Sequence, residues 1–468
     1  MSNEWRAVLG AAVEHAVRYR QSLGDRPHAP RLSYPEMRER LRAPLPEAGA
    51  DPAAVIDELV ERCDPGLMSM AGPRFFGWVI GASELPGVAA DLLVSAWGQN
   101  NGYQTPTPAM AALEETVEGW LLDILDLPRQ SSIGFTTGAT VANAICLAAA
   151  RTRVLLDAGW DPDADGLFGA PPVEVLLGAD AHSSVSSALQ LIGFGYNRVT
   201  RIPTDEQGRM DVTALRAALA KGMGPKIVIA QAGQVNTGCF DDFATIVPMA
   251  KRSGAWVHVD GAFGLWARAT AAHRRLTAGL EDADSWVTDG HKWLQTPYDT
   301  GFAIVKDREA HQRAMNNWGS YLPVIEAGDR VPSAFVPELS RRARATPVWA
   351  MLKALGRRGV AELIERHCAE ARHFAERLAA EPGISIVNEV VINQVIVEFG
   401  AGDVAARKTA TEAVIAAIQA DGTLFAAGAG WKGRWVMRLS VSSGETTMGD
   451  IDRAADTIIR LWRQVQAS

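Results

Sequence analysis

The feature that most constrains the fold is an alternation of short apolar runs with amphipathic helical stretches between about residues 71 and 330. The runs SIGF, VEVLLG, KIVIAQ, WVHVD and SWVT are almost continuously apolar and rich in β-branched residues, and helical periodicity fills most of the intervals between them. Strands of this kind are buried on both faces. They predict an α/β fold, built on a mostly parallel sheet with helices on either side.

The remainder of the chain divides into two smaller parts. Residues 1–70 contain helical pieces separated by proline-rich joints such as GDRPHAPRLSYP, which make a poor core of their own. The C-terminal part combines helices with the apolar runs VINQVIVEFG and WVMRLSVS. We therefore predict an N-terminal helical arm (1–70) that packs on something else, a large domain (71–345) and a small C-terminal α/β domain (346–468).

Composition excludes several classes of partner. The 468 residues are 47% hydrophobic, which allows a large core, and the net charge of −8 disfavours a nucleic acid or an anionic membrane. Four scattered cysteines without a CxxC spacing indicate neither a zinc knuckle nor a disulfide framework, and the charged N-terminus does not resemble a signal peptide. The uncharged stretch 131–150 is interrupted by GFTTGAT, which argues against a membrane span. The sequence predicts a cytoplasmic protein.

Two of the expected strands are followed by residues that suit a ligand. The first ends in GFTTGATVAN, where a helix begins near Ala139, so that free backbone N–H groups and the hydroxyls of Thr137 and Thr140 can meet a phosphate. An ordinary threonine-capped turn explains this motif equally well. The second precedes GADAHSSV, in which His182 either caps the next helix, packs in the core or lays its ring on a bound heterocycle.

Two further strands end in charged residues. Asp260 closes WVHVD, and a buried carboxylate is costly unless a cation or several donors meet it. Lys292, in DGHKW, follows the next apolar run, and a desolvated lysine there has a lowered pKa and forms Schiff bases. Taken alone, Asp260 is equally a turn cap, and Lys292 is equally a structural lysine whose amine reaches solvent.

Together the four strand ends fit one ligand, because ligands of open α/β sheets bind beyond the carboxyl ends of the strands. A phosphate at the helix start, a ring beside His182, a ring nitrogen on Asp260 and an aldehyde on Lys292 describe pyridoxal 5′-phosphate. A metal-dependent hydrolase is the alternative from another class, with His182, His258, Asp260 and His291 as ligands, but no HExxH-like spacing supports it. No metal site is predicted.

From about residue 65 to the C-terminus the chain resembles the group II pyridoxal-phosphate decarboxylases, the family of the aromatic-L-amino-acid, tyrosine, histidine and glutamate decarboxylases. The resemblance rests on GPRFFGWVIGASELPGVAADLL, TPTPAMAALEETVEGWLLDILDLP, AHSSV and the pair HVDGAFG and DGHKW. It implies the fold type I, or aspartate-aminotransferase-like, architecture. It also implies a homodimer with active sites at the subunit interface, against which the N-terminal arm would pack.

The resemblance also assigns roles to residues. It implies that Lys292 forms the Schiff base, that Asp260 partners the ring nitrogen, that His182 stacks on the ring and that Tyr321 returns the proton after CO₂ has left. It implies a wider cofactor-binding set that comprises Gly138, Ala139, Thr140, His182, Asn236, Asp260, Ala262, Asp289, His291 and Lys292.

Several positions depart from the family pattern. Gly72 stands where a histidine is usual, and Val141 where a glutamate is usual. Gln234 and Val235 replace threonines near the cofactor, and Val235 has no hydroxyl to offer the ring oxygen. Our hypothesis is that Asn236 or Gln234 substitutes for it.

The sequence also indicates candidate substrate contacts. The segment RFFGWVIGA predicts substrate contacts from Phe76, Trp78 and Val79, with Trp97 and Tyr103 expected from the other subunit. This lining favours an aromatic or bulky apolar L-amino acid that loses CO₂ to give the amine. A basic cluster leaves an acidic substrate open; it comprises Arg341, Arg342 and Arg344.

Other outcomes of the same cofactor chemistry stay open as well. A carbon–carbon lyase, an aldehyde synthase and an aminotransferase would all use a lysine and an aspartate in this way. A cofactor-binding module without turnover is a further alternative, against which the intact Lys292, Asp260 and His182 argue.

Overall fold

The computed structural model describes residues 2–315 and 330–467. The helices are α1 (Ser2–Ser22), α2 (Tyr34–Leu41), α3 (Pro52–Cys63), α4 (Leu85–Trp97), α5 (Pro108–Ile124), α6 (Ala139–Asp157), α7 (Pro162–Asp165), α8 (Ser183–Leu191), α9 (Val212–Lys221), α10 (Phe243–Arg252), α11 (Arg308–Met315), α12 (Ala345–Ala379), α13 (Val404–Asp421) and α14 (Met448–Ala467). The strands are β1 (Ser132–Thr136), β2 (Glu174–Gly178), β3 (Thr200–Ile202), β4 (Lys226–Gln231), β5 (Ala255–Asp260), β6 (Ser285–Asp289), β7 (Gly301–Val305), β8 (Ile384–Ile386), β9 (Gln394–Phe399), β10 (Ala427–Trp431) and β11 (Arg434–Ser440).

The large sheet confirms the predicted α/β architecture. Its seven strands lie in the order β1-β7-β6-β5-β4-β2-β3. Strands β3, β2, β4, β5 and β6 pair in parallel, and only β7 runs against its neighbours. Every residue of β1, β5, β6 and β7 is buried, as the almost continuously apolar runs predict for strands covered on both faces.

Helix α6 begins shortly after β1 and packs on this sheet. By length and composition alone α6 is apolar enough to cross a membrane, but 67% of that stretch is buried inside the protein. Its apolar residues join a core cluster with those of β2, β4 and α8. Its hydrophobicity therefore follows from its place in the core.

A second sheet of four antiparallel strands, in the order β10-β11-β9-β8, forms the C-terminal part with α13 and α14. Helix α12 carries the chain from the large core to this smaller one. It bends at Gly356, whose φ of 62° lies outside the helical region. Val348 and Met351 join the large core, whereas Phe374 and Leu378 join the small one. The predicted limit between the two domains stays a prediction, since one helix spans it.

The N-terminal arm is held to the rest of its own chain at few points. Helices α2 and α3 contain no buried residue. Arg20 donates to the carbonyl of Ala82 and pairs with Glu445, and His28 is buried beside Phe75. Whether this arm packs on a partner subunit stays a prediction.

Strands β3 and β10 do not carry a sequence pattern that indicates a strand. Strand β3 is only three residues long, and β10, with the sequence AGAGW, lacks the β-branched residues that indicate a strand. Both are strands because of their pairing: β3 pairs with β2, and β10 pairs with β11.

Candidate active site

A cavity of about 500 Å³ opens at the carboxyl edge of the large sheet. It brings together most of the residues that the sequence predicted to act together. Its walls include Trp78, Val79, Gly138, Ala139, Thr140, His182, Asp260, Ala262, Asp289, His291 and Lys292. Residues more than 200 positions apart in the chain meet here because β1, β2, β5 and β6 all end at this edge.

Lys292 lies in the turn that follows β6, with its side chain largely enclosed. Its Nζ lies 2.9 Å from Oδ2 of Asp289, the last residue of that strand. The ammonium is thus held at the cavity wall by a carboxylate three positions earlier. After loss of a proton, the Lys292 amine is positioned to react with a carbonyl group that enters the cavity.

Gln295 fixes the backbone of the lysine turn, and the sequence analysis did not identify it. This buried residue has a φ of 62°, and its side-chain amide donates to the carbonyls of Lys292 and Ser442. Its Oε1 accepts from the backbone N–H groups of Ala82 and Gly444. One side chain therefore ties the lysine turn to the segment before α4 and to the small domain.

Asp260 ends β5 on the floor of the cavity and is almost entirely buried. Its Oδ1 accepts from the backbone N–H of Ala262 at 3.2 Å. Burial raises the pKa of this carboxyl above its ordinary value, and the nearby His182 and Lys292 oppose that shift. A cation placed against Asp260 would favour its ionised form, as a protonated ring nitrogen does.

His182 is the N-cap residue of α8, one of the three roles considered for it. Its Nδ1 accepts from the backbone N–H of Ser184 at 3.2 Å and lies 2.8 Å from the Ser184 hydroxyl. The ring remains open to the cavity, while the surrounding protein lowers its pKa by removing solvent. A neutral imidazole held by its cap bonds presents a fixed face to a bound ring.

The start of α6 lies directly beside Asp289 and His291, since a Cβ on Gly138 would be 3.6 Å from Asp289 Oδ1 and 3.1 Å from the His291 ring. Nδ1 of His291 accepts from the backbone N–H of Thr300 at 3.1 Å, its Nε2 lies 3.5 Å from Asp289 Oδ2, and its ring stacks on Tyr298. Burial lowers the pKa of His291. Asp289 is 1% exposed, and its Oδ1 has no hydrogen-bond partner. These groups and the free N–H groups of α6 make a polar corner in the cavity.

The substrate side of the cavity corrects one prediction. Trp78 and Val79 line the cavity, as expected. Phe76 does not, because its fully buried ring packs edge-on against Phe374 in the core of the small domain. The sequence interpretation of Phe76 as a substrate contact is therefore wrong for this chain.

Three other predicted positions lie outside the cavity lining. Trp97, at the end of α4, is 48% exposed, and Tyr103 packs beside the Val331–Phe335 cluster. Their expected role across a subunit interface stays a prediction. Asn236 accepts a hydrogen bond from Arg438 and does not line the cavity. Tyr321 lies outside the described residues.

The hypothesis that Gln234 or Asn236 replaces the missing threonine hydroxyl does not hold. Oε1 of Gln234 accepts from the backbone N–H groups of Asn236 and Thr237, and its Nε2 donates to the Asp180 carbonyl. The two ends of this side chain are thus engaged, one in its own loop and the other with the turn before α8. Val235 does line the cavity, so this part of the wall is apolar.

Arg438 is a cavity residue that the sequence analysis missed. It projects from β11 of the small domain, and burial lowers the pKa of its guanidinium. In residues 2–315 and 330–467 no ion pair joins it to a carboxylate; its recorded bond goes to the Asn236 amide oxygen at 3.4 Å. The signal was one cation in the apolar run WVMRLSVS.

The basic cluster that left an acidic substrate open is engaged elsewhere. Arg341 is buried, with Nη1 3.0 Å from the Glu114 carboxylate, Arg342 pairs with Asp91 and Arg344 pairs with Asp299. None of the three arginines lines the cavity.

The residues proposed for a metal-dependent hydrolase do not form a ligand set. Both ring nitrogens of the buried His258 are occupied, by Asn143 Oδ1 at 2.7 Å and Ser285 Oγ at 2.8 Å. Across the described ranges, no three histidine, cysteine, aspartate or glutamate side chains are grouped to hold a metal ion.

The cavity residues do fit pyridoxal phosphate. An amine and a buried carboxylate, those of Lys292 and Asp260, lie in one cavity, and the small side chain of Ala262 leaves room for a flat ring. The N–H groups at the start of α6 suit the phosphate. When it is bound, pyridoxal phosphate supplies an electron sink for the bond that breaks at the substrate's α-carbon.

Comparison with curated proteins agrees with this interpretation of the cavity. The chain is 28% identical over 365 residues to an aromatic-L-amino-acid decarboxylase of Bacillus atrophaeus, which covers 76% of this chain and 73% of the relative. It is 29% identical over 366 residues to an L-2,4-diaminobutyrate decarboxylase of Rhizobium meliloti (strain 1021), covering 76% of this chain and 71% of the relative.

A solved structure supports the fold. The crystal structure of Oryza sativa TDC with PLP and tryptamine superposes with a TM-score of 0.93, covering 99% of this chain and 98% of that one at 22% identity. The model of the pyridoxal-dependent decarboxylase conserved domain matches residues 35–399. With the match spanning most of its length, this chain belongs to the family of pyridoxal-dependent decarboxylases.

Proposed function

We propose that this pyridoxal-phosphate-dependent amino-acid decarboxylase acts on an aromatic or bulky apolar L-amino acid. The observation that carries the proposal is the placement of Trp78 at the cavity wall. Its side chain remains 43% exposed although its ring contacts those of Phe75 and Phe425, at centroid distances of 5.6 and 5.7 Å. The Trp78 indole is thus supported by two aromatic rings and remains partly exposed at the cavity, where another ring can pack on it.

The backbone at Trp78 supports this role. Its φ of 53° lies in the left-handed region, which costs a non-glycine residue roughly 1–3 kcal/mol. The preceding Gly77 permits the arrangement, because a Cβ there would lie 2.5 Å from the Phe425 ring. Strain of this kind persists where the surrounding structure holds a side chain for use.

The charges in the cavity argue against a substrate with a charged side chain. The carboxylates of Asp260 and Asp289 are already engaged, the first by the Ala262 N–H and the second by Lys292. With the cofactor bound, Asp260 would face its ring nitrogen and Asp289 would lie beside its phosphate, so neither carboxylate would be free for the second amine of a diamino acid. Of the described lysines and arginines that line the cavity, Lys292 pairs with Asp289, whereas Arg438 has no carboxylate partner. We assign Arg438 to the substrate's own carboxylate.

An acidic side chain is the second candidate that a specific observation favours. The same unpaired Arg438 would hold a side-chain carboxylate equally well. The apolar wall of Trp78, Val79 and Val235 opposes it, since a carboxylate beside that wall loses solvent without gaining donors. We therefore rank the aromatic substrate first.

Each catalytic side chain then has a task set by its position. Lys292 would hold the cofactor through its amine, Asp260 would face the ring nitrogen and favour its protonated form, and His182 and Ala262 would lie against the ring. The orientation in which these residues hold the substrate would decide which bond at its α-carbon breaks. We infer that the wall of Trp78 sets that orientation through the substrate side chain.

A substrate panel tests the proposal. Cofactor-loaded protein is incubated with L-tryptophan, L-tyrosine, L-phenylalanine, L-leucine, L-glutamate and L-2,4-diaminobutyrate, while CO₂ and the organic product are quantified. We expect CO₂ with stoichiometric amine, and kcat/KM at least tenfold higher for an aromatic substrate than for glutamate or diaminobutyrate. Preference for either charged substrate overturns the choice of side chain. A keto acid or an aldehyde as the main product favours instead the aminotransferase or the aldehyde synthase.

We further propose that the enzyme is a homodimer. Apolar side chains on α1 and α4 lie open to solvent in the single chain, more than isolated surface residues require. They are Trp5, Val13, Val17, Leu85, Val88, Leu92, Leu93 and Trp97. A second copy that covers these helices would bring Trp97 into an interface, where the sequence analysis expects it. We also keep a cytoplasmic location as a proposal, which the four free cysteines support.

A further inference from the structure

The polar corner of the cavity contains a carboxylate oxygen that lacks a hydrogen-bond donor. Asp289 is 1% exposed, and no donor reaches its Oδ1 in the described structure. Its other oxygen is shared between Lys292 Nζ at 2.9 Å and His291 Nε2 at 3.5 Å. Buried acceptors are nearly always paired, so a missing donor at this position calls for an explanation.

The unpaired oxygen lies directly against the start of α6. A Cβ placed on Gly301 would lie 2.8 Å from Asp289 Oδ1 and 2.5 Å from the Cα of Gly138. A Cβ on Gly138 would lie 3.6 Å from the same oxygen. The two glycines let the carboxylate and the helix start approach each other, and Asp289 and Gly138 line the cavity. A phosphate bound by the first N–H groups of α6 would therefore be a neighbour of this carboxylate.

Cofactor binding would also move the cation that now balances Asp289. If the Lys292 nitrogen joins the cofactor's aldehyde, it would leave the ion pair, and the carboxylate would be left beside a phosphate that carries up to two negative charges. Two acids in contact cannot both be fully ionised, and they share a proton instead. A phosphate monoester gives up its second proton only near pH 6, so this proton is readily retained.

Among the residues that the structure describes, no other cation in the corner compensates. His291 is a neighbour, but burial lowers its pKa and favours the neutral ring. The ionisable groups that act electrostatically on Asp289, or on the groups beside it, are His182, Asp260, His291, Lys292, Tyr298, Asp299 and Arg438. Arg438 comes from the small domain and bonds to Asn236. The N–H groups of α6 are neutral donors and supply partial charge only.

From this arrangement we propose that the cofactor's phosphate is bound as a monoanion whose remaining proton is donated to Oδ1 of Asp289. No bond other than this hydrogen bond forms, and the proton comes from solvent when the dianion of the free cofactor binds above pH 6. Asp289 is then a positioning residue for the phosphate. The inference rests on the cofactor that the family binds and not on the proposed substrate.

Phosphorus-31 NMR of the cofactor-loaded protein tests this assignment directly. Between pH 6.5 and 8.5 the bound wild-type resonance is expected to stay at the monoanion position, because the proton is held. In Asp289→Asn the amide itself donates to the phosphate, so the resonance is expected at the dianion position. The control is Asp284→Asn, since Asp284 lies at the opposite end of β6 and bonds to Lys251 and the Val257 N–H.

The pH dependence of cofactor affinity gives a second readout that involves no amino acid. The wild type is expected to take up one more proton on binding the cofactor than Asp289→Asn does. As the pH rises, its Kd should therefore increase about tenfold more per pH unit than the Kd of the variant, or about 100-fold more over two pH units. Asp284→Asn should follow the wild type. A dianion resonance in the wild type, equal slopes, or no cofactor binding at all overturns the inference. If Asp289→Asn does not fold, the wild-type spectrum decides alone, and the substrate panel stands separately.

Discussion

Replacement of Trp78 by alanine probes the proposed substrate wall in the simplest way. A tryptophan side chain covers about 250 Å² when fully buried. The 43% of Trp78 that remains exposed thus leaves about 110 Å² for a substrate to cover. At about 25 cal/mol per Å² this area is worth up to about 2.7 kcal/mol, or about 100-fold in binding. One substrate ring covers only part of this area, which reduces the free energy gained on binding. We therefore expect kcat/KM for aromatic substrates to fall 10- to 100-fold in Trp78→Ala.

The assay compares substrates within one variant. Steady-state CO₂ release is measured with the preferred aromatic amino acid and with L-2-aminobutyrate, whose short side chain reaches little of the wall. The loss is expected for the aromatic substrate and should be less than threefold for the short one. Trp349→Ala is the control, because Trp349 is 37% exposed and stacked on another tryptophan but lies outside the cavity. Equal losses for both substrates, or no loss, would refute the role of Trp78.

Three further predictions follow from the charges and the exposed surface. Arg438→Met should raise KM at least tenfold while the absorbance of the bound cofactor is unchanged; a normal KM contradicts the assignment of Arg438 to the substrate carboxylate. Burial lowers the folded-state pKa of His258 to about 3, whereas the unfolded chain protonates it near its ordinary value of 6.5. The stability that comes from burying the neutral ring is therefore complete above pH 6.5 and is lost by about 1.4 kcal/mol per pH unit as the pH falls toward 3. In urea titrations, the free energy of unfolding of His258→Gln should change less steeply with pH than that of the wild type, by about that amount. Equal slopes for the two proteins contradict this prediction. Leu93→Arg on the exposed face of α4 should convert the dimer to a monomer in light scattering, and an unchanged mass, or a monomeric wild type, rejects the proposed interface.

The sequence predicted the site best where a chemically reactive or charged residue directly follows a predicted strand. Asp260 and Lys292 each follow an apolar run, and parallel strands bring their carboxyl ends to one edge, so the cavity was predictable. His182 was placed at a helix start by the same reasoning, and it caps α8.

The aromatic segment shows where sequence reasoning stops. Phe76 and Trp78 are both large and aromatic, two positions apart, and the sequence offers no means of telling core from cavity. The difference arises from tertiary packing: Phe76 meets Phe374 of the small domain, while a left-handed backbone directs Trp78 to the cavity. Arg438 was missed for a related reason, because β11 reaches the cavity only through the arrangement of the two sheets.

The central claim is that Lys292 is the residue that holds the cofactor. The direct measurement is incubation with pyridoxal phosphate, reduction with borohydride, proteolysis and mass spectrometry of the lysine peptides. We predict a single cofactor mass on the peptide that contains Lys292, with loss of the visible absorbance band in Lys292→Ala. A modified lysine elsewhere, or no modification in a protein that remains colourless, would contradict the account.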